Sequence, residues 1–389
     1  MIKTLHIEKD YQDIFALSQF AFQYKLTEDE LDQKRKEGLR HKIWGYMDGD
    51  NIAAKLHLIP LTCFIGGKEI KMGGISSVAT WPEYRRGGMV KELLGHALKH
   101  MKKNGQVISY LHPFSVPFYR KFGWELVFNE KAYTIPIEKF KKKWDGNGYV
   151  RRITPDYQVL NDIYTEYAKT YTGTLLRDEK WWEQRIVKDD MHIAIAYNKS
   201  GEPEGYIIFQ VKDKEFTVID KAYRSLNGRV LLLQFVANHD SMVEKVKMVV
   251  PENDNLPLLI DDPRFEQKIE PYFMARIVDV HEFLKQYPYE VNSDGQVVAI
   301  HVTDSFLPEN NGVYHIKRVK NESTVSFIRS EKISTKGVTC SVQQLASMFF
   351  GYNRPMELFA LGLLQGSEED VLKLEKLIPI QQSYFADFF

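Results

Sequence analysis

PEYRRGGMVKELLGHAL, residues 82–98, is the stretch on which the reading of this chain turns. From Met89 onward, Met89, Val90, Leu93, Leu94, Ala97, Leu98 and Met101 recur at the spacing of one buried helix face. Just before it, GGISSVATW (73–81) has the Ile, Val and Thr content of a short strand. Arg85–Gly88 is therefore a tight strand-to-helix connection. Amides at a helix N-terminus lack intrahelical partners, and the helix dipole adds partial positive charge there. Glycines let that backbone approach a ligand, and successive free amides form an anion-binding nest. Arg85 and Arg86 add fixed charge with forked donors. The combination predicts a pyrophosphate cradle. It is neither GxxxxGK[ST] nor GxGxxG, which argues against P-loop and Rossmann nucleotide sites.

Working outward, the chain of 389 residues has room for roughly two or three domains. Basic and acidic residues balance at 52 each, so any charged site is local. That balance predicts neither a nucleic-acid partner nor a membrane surface. No apolar run approaches the roughly 18 residues of a membrane span. The first residues carry charges where a signal peptide would be apolar. Cys63 and Cys340, the only two cysteines, stand far apart in no metal spacing. They read as free thiols of a cytoplasmic protein, and no metal is expected.

Residues 9–37 read as helical, followed by alternating strands with turn signals at Asp48-Gly49 and Gly66-Gly67. The helix at about 88–103, the apolar strand QVISYLHPF and the short helix or turn PFYRKFGWE complete a mixed-direction α/β unit. Charge, Gly and Asn cluster in KKKWDGNGY, which sets a boundary near 145. A second helix–strand series follows as a weak internal echo. In it Tyr223-Arg224 precede the apolar run 230–237, but Leu226-Asn227 stand where the glycine pair would be. A third region, with strands and then helices, begins near 286. Ser367 and Asp370 make a capping-box-like start for its last helix.

VATWPEYRRGGMVKELL resembles the acetyl-coenzyme A loop of the GNAT acetyltransferase superfamily, [RQ]-x-x-G-x-[GA]. Arg85 and Gly88 match its first two fixed positions, and Val90 departs from the third. FYRKFGWE resembles the superfamily's second signature. With a degenerate second unit and an end reading YFADFF, the whole chain resembles the Eis (enhanced intracellular survival) family. That resemblance implies two tandem GNAT-like mixed-sheet units, 1–145 and 146–285, and a sterol-carrier-like α+β domain, 286–389. It implies acetyl-CoA as co-substrate, contacted by Val78, Ala79, Thr80, Arg85, Arg86, Gly87, Gly88, Met89 and Val90. It also implies Tyr119 as general acid, the terminal carboxylate of Phe389 in the active site as base, and a hexamer.

A free Tyr (pKa about 10) is a weaker acid than a thiol (about 8.5), so Tyr119 is expected to donate while the C–S bond breaks, or with a lowered pKa. Burial of Tyr384, Phe385, Phe388 and Phe389 would dock the tail, with or without a catalytic role. His112 reads as structural. Phe20, Phe22, Trp181 and Trp182 could line a pocket for cations or serve as core. The expected acceptor is a polycationic, polyamine or aminoglycoside-like small molecule. A protein-lysine acetyltransferase and a non-catalytic binding or assembly protein are the alternatives.

Overall fold

The computed structural model describes residues 1–291, 295, 297–319, 322–330 and 336–389. Its first sheet has seven strands. In spatial order they are Ile2–Leu5, Lys42–Asp48, Asn51–Ile65, Lys68–Thr80, Ile108–Leu111, Met274–Ile277 and Glu125–Leu126. The meander from 42 to 80 turns where the sequence predicts. Gly66 and Gly67 both hold positive φ, as a two-residue hairpin turn requires. Only Lys68–Thr80 with Ile108–Leu111 is parallel, so the sheet is mixed in direction as expected.

The helix predicted over 9–37 is two helices, Ile7–Phe22 and Glu28–Gly38. Gln23 adopts the left-handed conformation that stops the first. Thr27 and Glu30 form a reciprocal capping box that starts the second. The motif helix, Met89–Lys103, packs Leu93, Leu94, Ala97, Leu98 and Met101 against Leu56, Leu58 and Ile75 of the sheet. At about 1.5–3 kcal/mol per large apolar side chain, this face fixes where the helix starts relative to the strand before it.

The second sheet runs in the order Glu266–Pro271, Asn129–Pro136, Lys245–Val250, Glu215–Tyr223, Pro203–Lys212, His192–Asn198 and Gly148–Ile153. The boundary expected at 145 does not separate the two sheets. Asn129–Pro136, before it, pairs in the second sheet, and Met274–Ile277, far beyond it, completes the first. The polar run at 141–149 is a surface connection, and the covalent order hides an exchange of strands. Arg276, on the exchanged strand, is fully buried and pairs with Asp304 of the third region at 2.5 Å. That region has a four-stranded sheet, Glu322–Arg329, Gly312–Val319, Val297–Thr303 and Val338–Ser341, covered by helices including Val342–Phe349 and Glu368–Leu377. Ser367 caps the last helix, as predicted, by accepting from the Asp370 amide. Its core is continuous with the first sheet through Val127, Phe273 and Phe385. Both cysteines are free and buried, and no described helix is long and apolar enough to cross a membrane.

Candidate active site

The site begins where two parallel strands part. Lys68–Thr80 pairs with Ile108–Leu111 only at Met72↔Ile108, Gly73↔Ser109 and Gly74↔Tyr110. The first strand then continues to Thr80, and beyond Gly74 that edge has no strand partner. Its other edge carries a bulge. Lys55 pairs with Ala79 and His57 with Ser76, and Ser77 sits at φ +51°. A bulge bends the strand away from its former neighbour and opens a wedge between them. Beyond Gly74 the main-chain groups on the edge facing the wedge are left without a strand partner.

At the wedge mouth the motif helix starts at Gly88, with φ +79° and no side-chain cap. Arg86 is also left-handed, at φ +68°. A Cβ placed on Gly88 would meet nothing within 4 Å. This glycine therefore serves the backbone shape and the approach of something from outside, not internal packing. Arg85 and Arg86 are exposed and hold no ion pair among the described residues. Tyr84 donates to Asp48 at 2.7 Å and pins the loop to the first hairpin.

Val78, Ala79, Thr80 and every residue from Arg85 to Val90 line one cleft of about 680 Å³, closed on its other side by Phe22, Phe114, Phe118 and Phe122. In its wall, the Thr80 hydroxyl is buried without a partner. Thr80 lines the cleft, so this is a buried hydroxyl left without a protein partner beside the site. The cleft thus has cations and free amides at its mouth, an unpaired strand edge along its length and apolar walls. Those features fit the diphosphate, the amide-bearing arm and the acyl thioester of acetyl-CoA in turn.

The two residues expected to carry the chemistry lie outside the cleft lining. Tyr119, on the short helix Val116–Arg120, is 3% exposed. Its ring packs edge-on against Phe118 at 5.1 Å and Phe114 at 5.5 Å, both of which face the cleft. No described group hydrogen-bonds its hydroxyl. Burial raises its pKa, so the lowered value entertained from the sequence is not what this environment gives. Phe389 is 6% exposed, and its ring lies on the first sheet at Gly74, where the strands part. A Cβ there would come within 2.7 Å of the ring. The ring also meets Phe273 at 5.2 Å and Trp181 at 6.4 Å. Phe388, by contrast, is 57% exposed and rests on His112. His112 packs between Tyr272 and Phe273, in line with a structural role. Trp181 and Trp182 are core, whereas Phe22 is half exposed in the cleft and Phe20 leans on Trp81.

Two clusters were not anticipated. Asp387, 2% exposed, accepts from Arg177 at 3.0 Å and Trp181 at 2.7 Å, while Arg177 also grips Asp220 at 2.6 Å. This clamp ties the tail to the second unit. Lys55 is fully buried behind the bulge and bonded to Ser77 and His57. A lysine and a histidine on one face of NIAAKLHLIPL, an otherwise apolar strand, were the available signal. The clamp had none, because Arg177 and Asp387 are far apart in sequence.

Comparison with known proteins gives three domain matches along the chain. Residues 2–127 and 173–277 each match an acetyltransferase (GNAT) domain model, and 280–386 match a sterol carrier protein domain. An uncharacterized N-acetyltransferase of Streptomyces griseus is 24% identical over 262 residues, 58% of this chain and 61% of that protein. The N-acetyltransferase Eis of Mycobacterium tuberculosis is 22% identical over 249 residues, 58% of this chain and 60% of Eis. The matched part thus spans about three-fifths of these curated relatives. A solved structure, a probable N-acyltransferase from Enterococcus faecalis, superposes with a TM-score of 0.91 at 25% identity, covering 100% of this chain and 99% of that one.

Proposed function

We propose that this chain, which belongs to the Eis family with its two GNAT domains and sterol carrier protein domain, is an acetyl-CoA-dependent N-acetyltransferase. The observation that carries the proposal is the single cleft formed by Val78–Thr80 and Arg85–Val90, with an uncapped helix terminus at its mouth. Arg85, Arg86 and the amides at Gly88 and Met89 hold the diphosphate. The free edge of Val78–Thr80 orients the arm and polarises the thioester carbonyl. An amine attacks that carbonyl directly. Tyr119, kept neutral by burial, shares its proton with the departing sulfur while the C–S bond is breaking. A finished thiolate could not take the proton from so weak an acid. The acceptor of the amine proton that the family implies is the carboxylate of Phe389, whose ring lies where the strands part.

The proposed acceptor is an amine of a polycationic, aminoglycoside-like or polyamine small molecule, and the proposed assembly is a cytoplasmic hexamer. The acceptor class and the hexamer follow from the family, and the compartment from the two free thiols. Steady-state coenzyme A release with a panel of aminoglycosides, polyamines and lysine peptides tests the activity and its acceptor class. Tyr119→Phe keeps the ring packing and removes only the hydroxyl. It is expected to lower kcat about 10²-fold, the usual scale of a lost general acid, with acetyl-CoA affinity unchanged. Wild-type turnover in that variant removes Tyr119 from the mechanism.

A further inference from the structure

Behind the bulge that opens the cleft lies a continuous row of hydrogen-bonding groups. Lys55 Nζ is 2.6 Å from Ser77 Oγ, 3.0 Å from the Ser77 carbonyl oxygen and 3.3 Å from His57 Nε2. His57 Nδ1 is 3.2 Å from Nδ1 of His41, which is part-exposed at the far end. Ser77, at the near end, is part-exposed and immediately precedes the cleft-lining Val78. An apolar residue at 55 would suit this strand better, since a buried amine needs a compensating charge to be neutral in cost. Among the described residues no carboxylate pairs with it. The groups facing Lys55 are His57 on its own strand, Ser77 on the next, Ser18 of Ile7–Phe22 beyond Ser77, and His41. The charged neighbours further out are Arg40, Arg185 and Lys34, which act on His41. Glu37 is engaged by Lys34 and Arg185. Ser77 itself holds a left-handed backbone that serine rarely adopts, as functional positions often do.

We propose that Ser77, Lys55, His57 and His41 form a proton path that carries the proton lost by the attacking amine out of the cleft to solvent. This rests on the acetyl-transfer reading above. As the N–C bond forms, the amine gives its proton to Ser77 Oγ while the Ser77 hydroxyl proton passes to the lone pair of neutral Lys55. The C–S bond breaks, and the sulfur takes its proton from Tyr119. The Lys55 ammonium then donates to His57 Nε2, the His57 Nδ1 proton moves to His41 Nδ1, and His41 releases its Nε2 proton to water. The rings regain their starting tautomers before the next turnover. Each link from Ser77 Oγ to His41 Nδ1 is a contact already present.

Burial holds Lys55 at about 7 and both histidines well below their usual range. Lys55 is therefore available as a neutral acceptor near neutrality, and the rings relay protons without keeping them. The gap from a lysine-like ammonium to Lys55 is about 3 pKa units, against about 7 for an ordinary chain-terminal carboxylate. The path takes the place of the Phe389 carboxylate as acceptor of this proton.

The experiment is the kcat–pH profile of wild type, Lys55→Met and Ser77→Gly, using the best acceptor from the panel, with acetyl-CoA affinity measured by calorimetry. Glycine suits the Ser77 backbone, so that variant keeps the bulge while removing Oγ. Wild type is expected to gain activity with a limb near pH 7. Both variants are expected to lose that limb and at least about tenfold in kcat at pH 7.5, the scale of a lost base, with acetyl-CoA affinity within about twofold. Should Lys55→Met fail to fold, Ser77→Gly decides alone. A wild-type profile and kcat in Ser77→Gly overturn the path. A wild type that acetylates no amine overturns the acetyl-transfer reading instead, and the path with it.

Discussion

Replacing Asp387 by alanine would test what holds the tail in place. The carboxylate is buried and accepts from Arg177 Nε at 3.0 Å and Trp181 Nε1 at 2.7 Å. Its loss leaves the indole N–H and the guanidinium Nε buried without acceptors, at about 1–3 kcal/mol each. The Arg177 charge stays compensated by Asp220 at 2.6 Å, so the total falls at the low end of the 3–5 kcal/mol typical of a broken buried pair. About 3 kcal/mol is roughly 150-fold in an equilibrium constant. The tail meets the second unit through a short ladder in which the Tyr384 amide donates to Thr172 O and the Thr172 amide to Gln382 O, each at 2.9 Å. Hydrogen exchange at Tyr384 is the direct assay. Its protection should drop about 10²-fold in Asp387→Ala, and less in Asp387→Asn, which keeps an acceptor oxygen. Protection at Leu94 in the motif helix should not move. Unchanged protection at Tyr384 in the alanine variant would refute the clamp.

Gly88→Ala forces a left-handed alanine, costing about 1–2 kcal/mol of stability, and meets no clash. Acetyl-CoA affinity should fall at least tenfold, about 1.4 kcal/mol, by calorimetry, because the same strain tilts the first-turn amides. Gly87→Ala, whose Cβ sits at an ordinary 3.4 Å from the Tyr84 carbonyl, lacks that strain and should lose less affinity; equal losses in both would discredit the cradle geometry. Stability should also fall as pH drops from about 6.5 toward 3. Burial lowers His41 to about 3 and His57 well below the usual value, so in that window the unfolded chain takes up protons that the folded one refuses. Lys55, lowered to about 7, acts in the same sense between about 7 and 10.5. Urea unfolding of His57→Gln should show a slope against pH shallower by up to about 1.4 kcal/mol per unit below 6.5; an unaltered slope would contradict the burial argument.

The parts of this fold that the sequence disclosed are those governed by local rules. Met89–Lys103 was visible because its apolar face repeats at helical spacing. The hairpin at Gly66-Gly67 was visible because few residues other than glycine supply two successive positive φ values. The cradle could be read because its chemistry is contiguous, from Arg85 to Val90. What stayed hidden is set by distance along the chain. Nothing local marks Asn129–Pro136 as a strand of the second sheet, or Met274–Ile277 as one of the first. Arg177 and Asp387 look like ordinary surface charges until folding buries them together. Lys55 lay between these cases: its place in an apolar strand was a local signal, but its partner Ser77 depends on a bulge that no residue type announces.

The second unit separates what the fold provides from what the loop provides. There too, parallel strands Glu215–Tyr223 and Lys245–Val250 pair and then part, with a bulge against Pro203–Lys212 and a helix, Leu226–Ala237, following. The outcome differs at every point that matters to a ligand. Ser225 caps the helix by accepting from Gly228, so an amide that would face an anion is already satisfied. Gly228 lies against its own sheet, where a Cβ would come within 2.4 Å of the Glu204 carbonyl oxygen. Arg229 turns inward to Asp254, and Lys221 donates to the Val249 carbonyl. The cavity left is about 30 Å³, against about 680 Å³ in the first unit. Bulge and wedge are therefore common property of the architecture, and a wedge alone fills with its own side chains. The first unit keeps its wedge open because Gly88 brings no cap and Arg85 and Arg86 hold no ion pair among the described residues, so the charge at the helix mouth waits for a partner from solution.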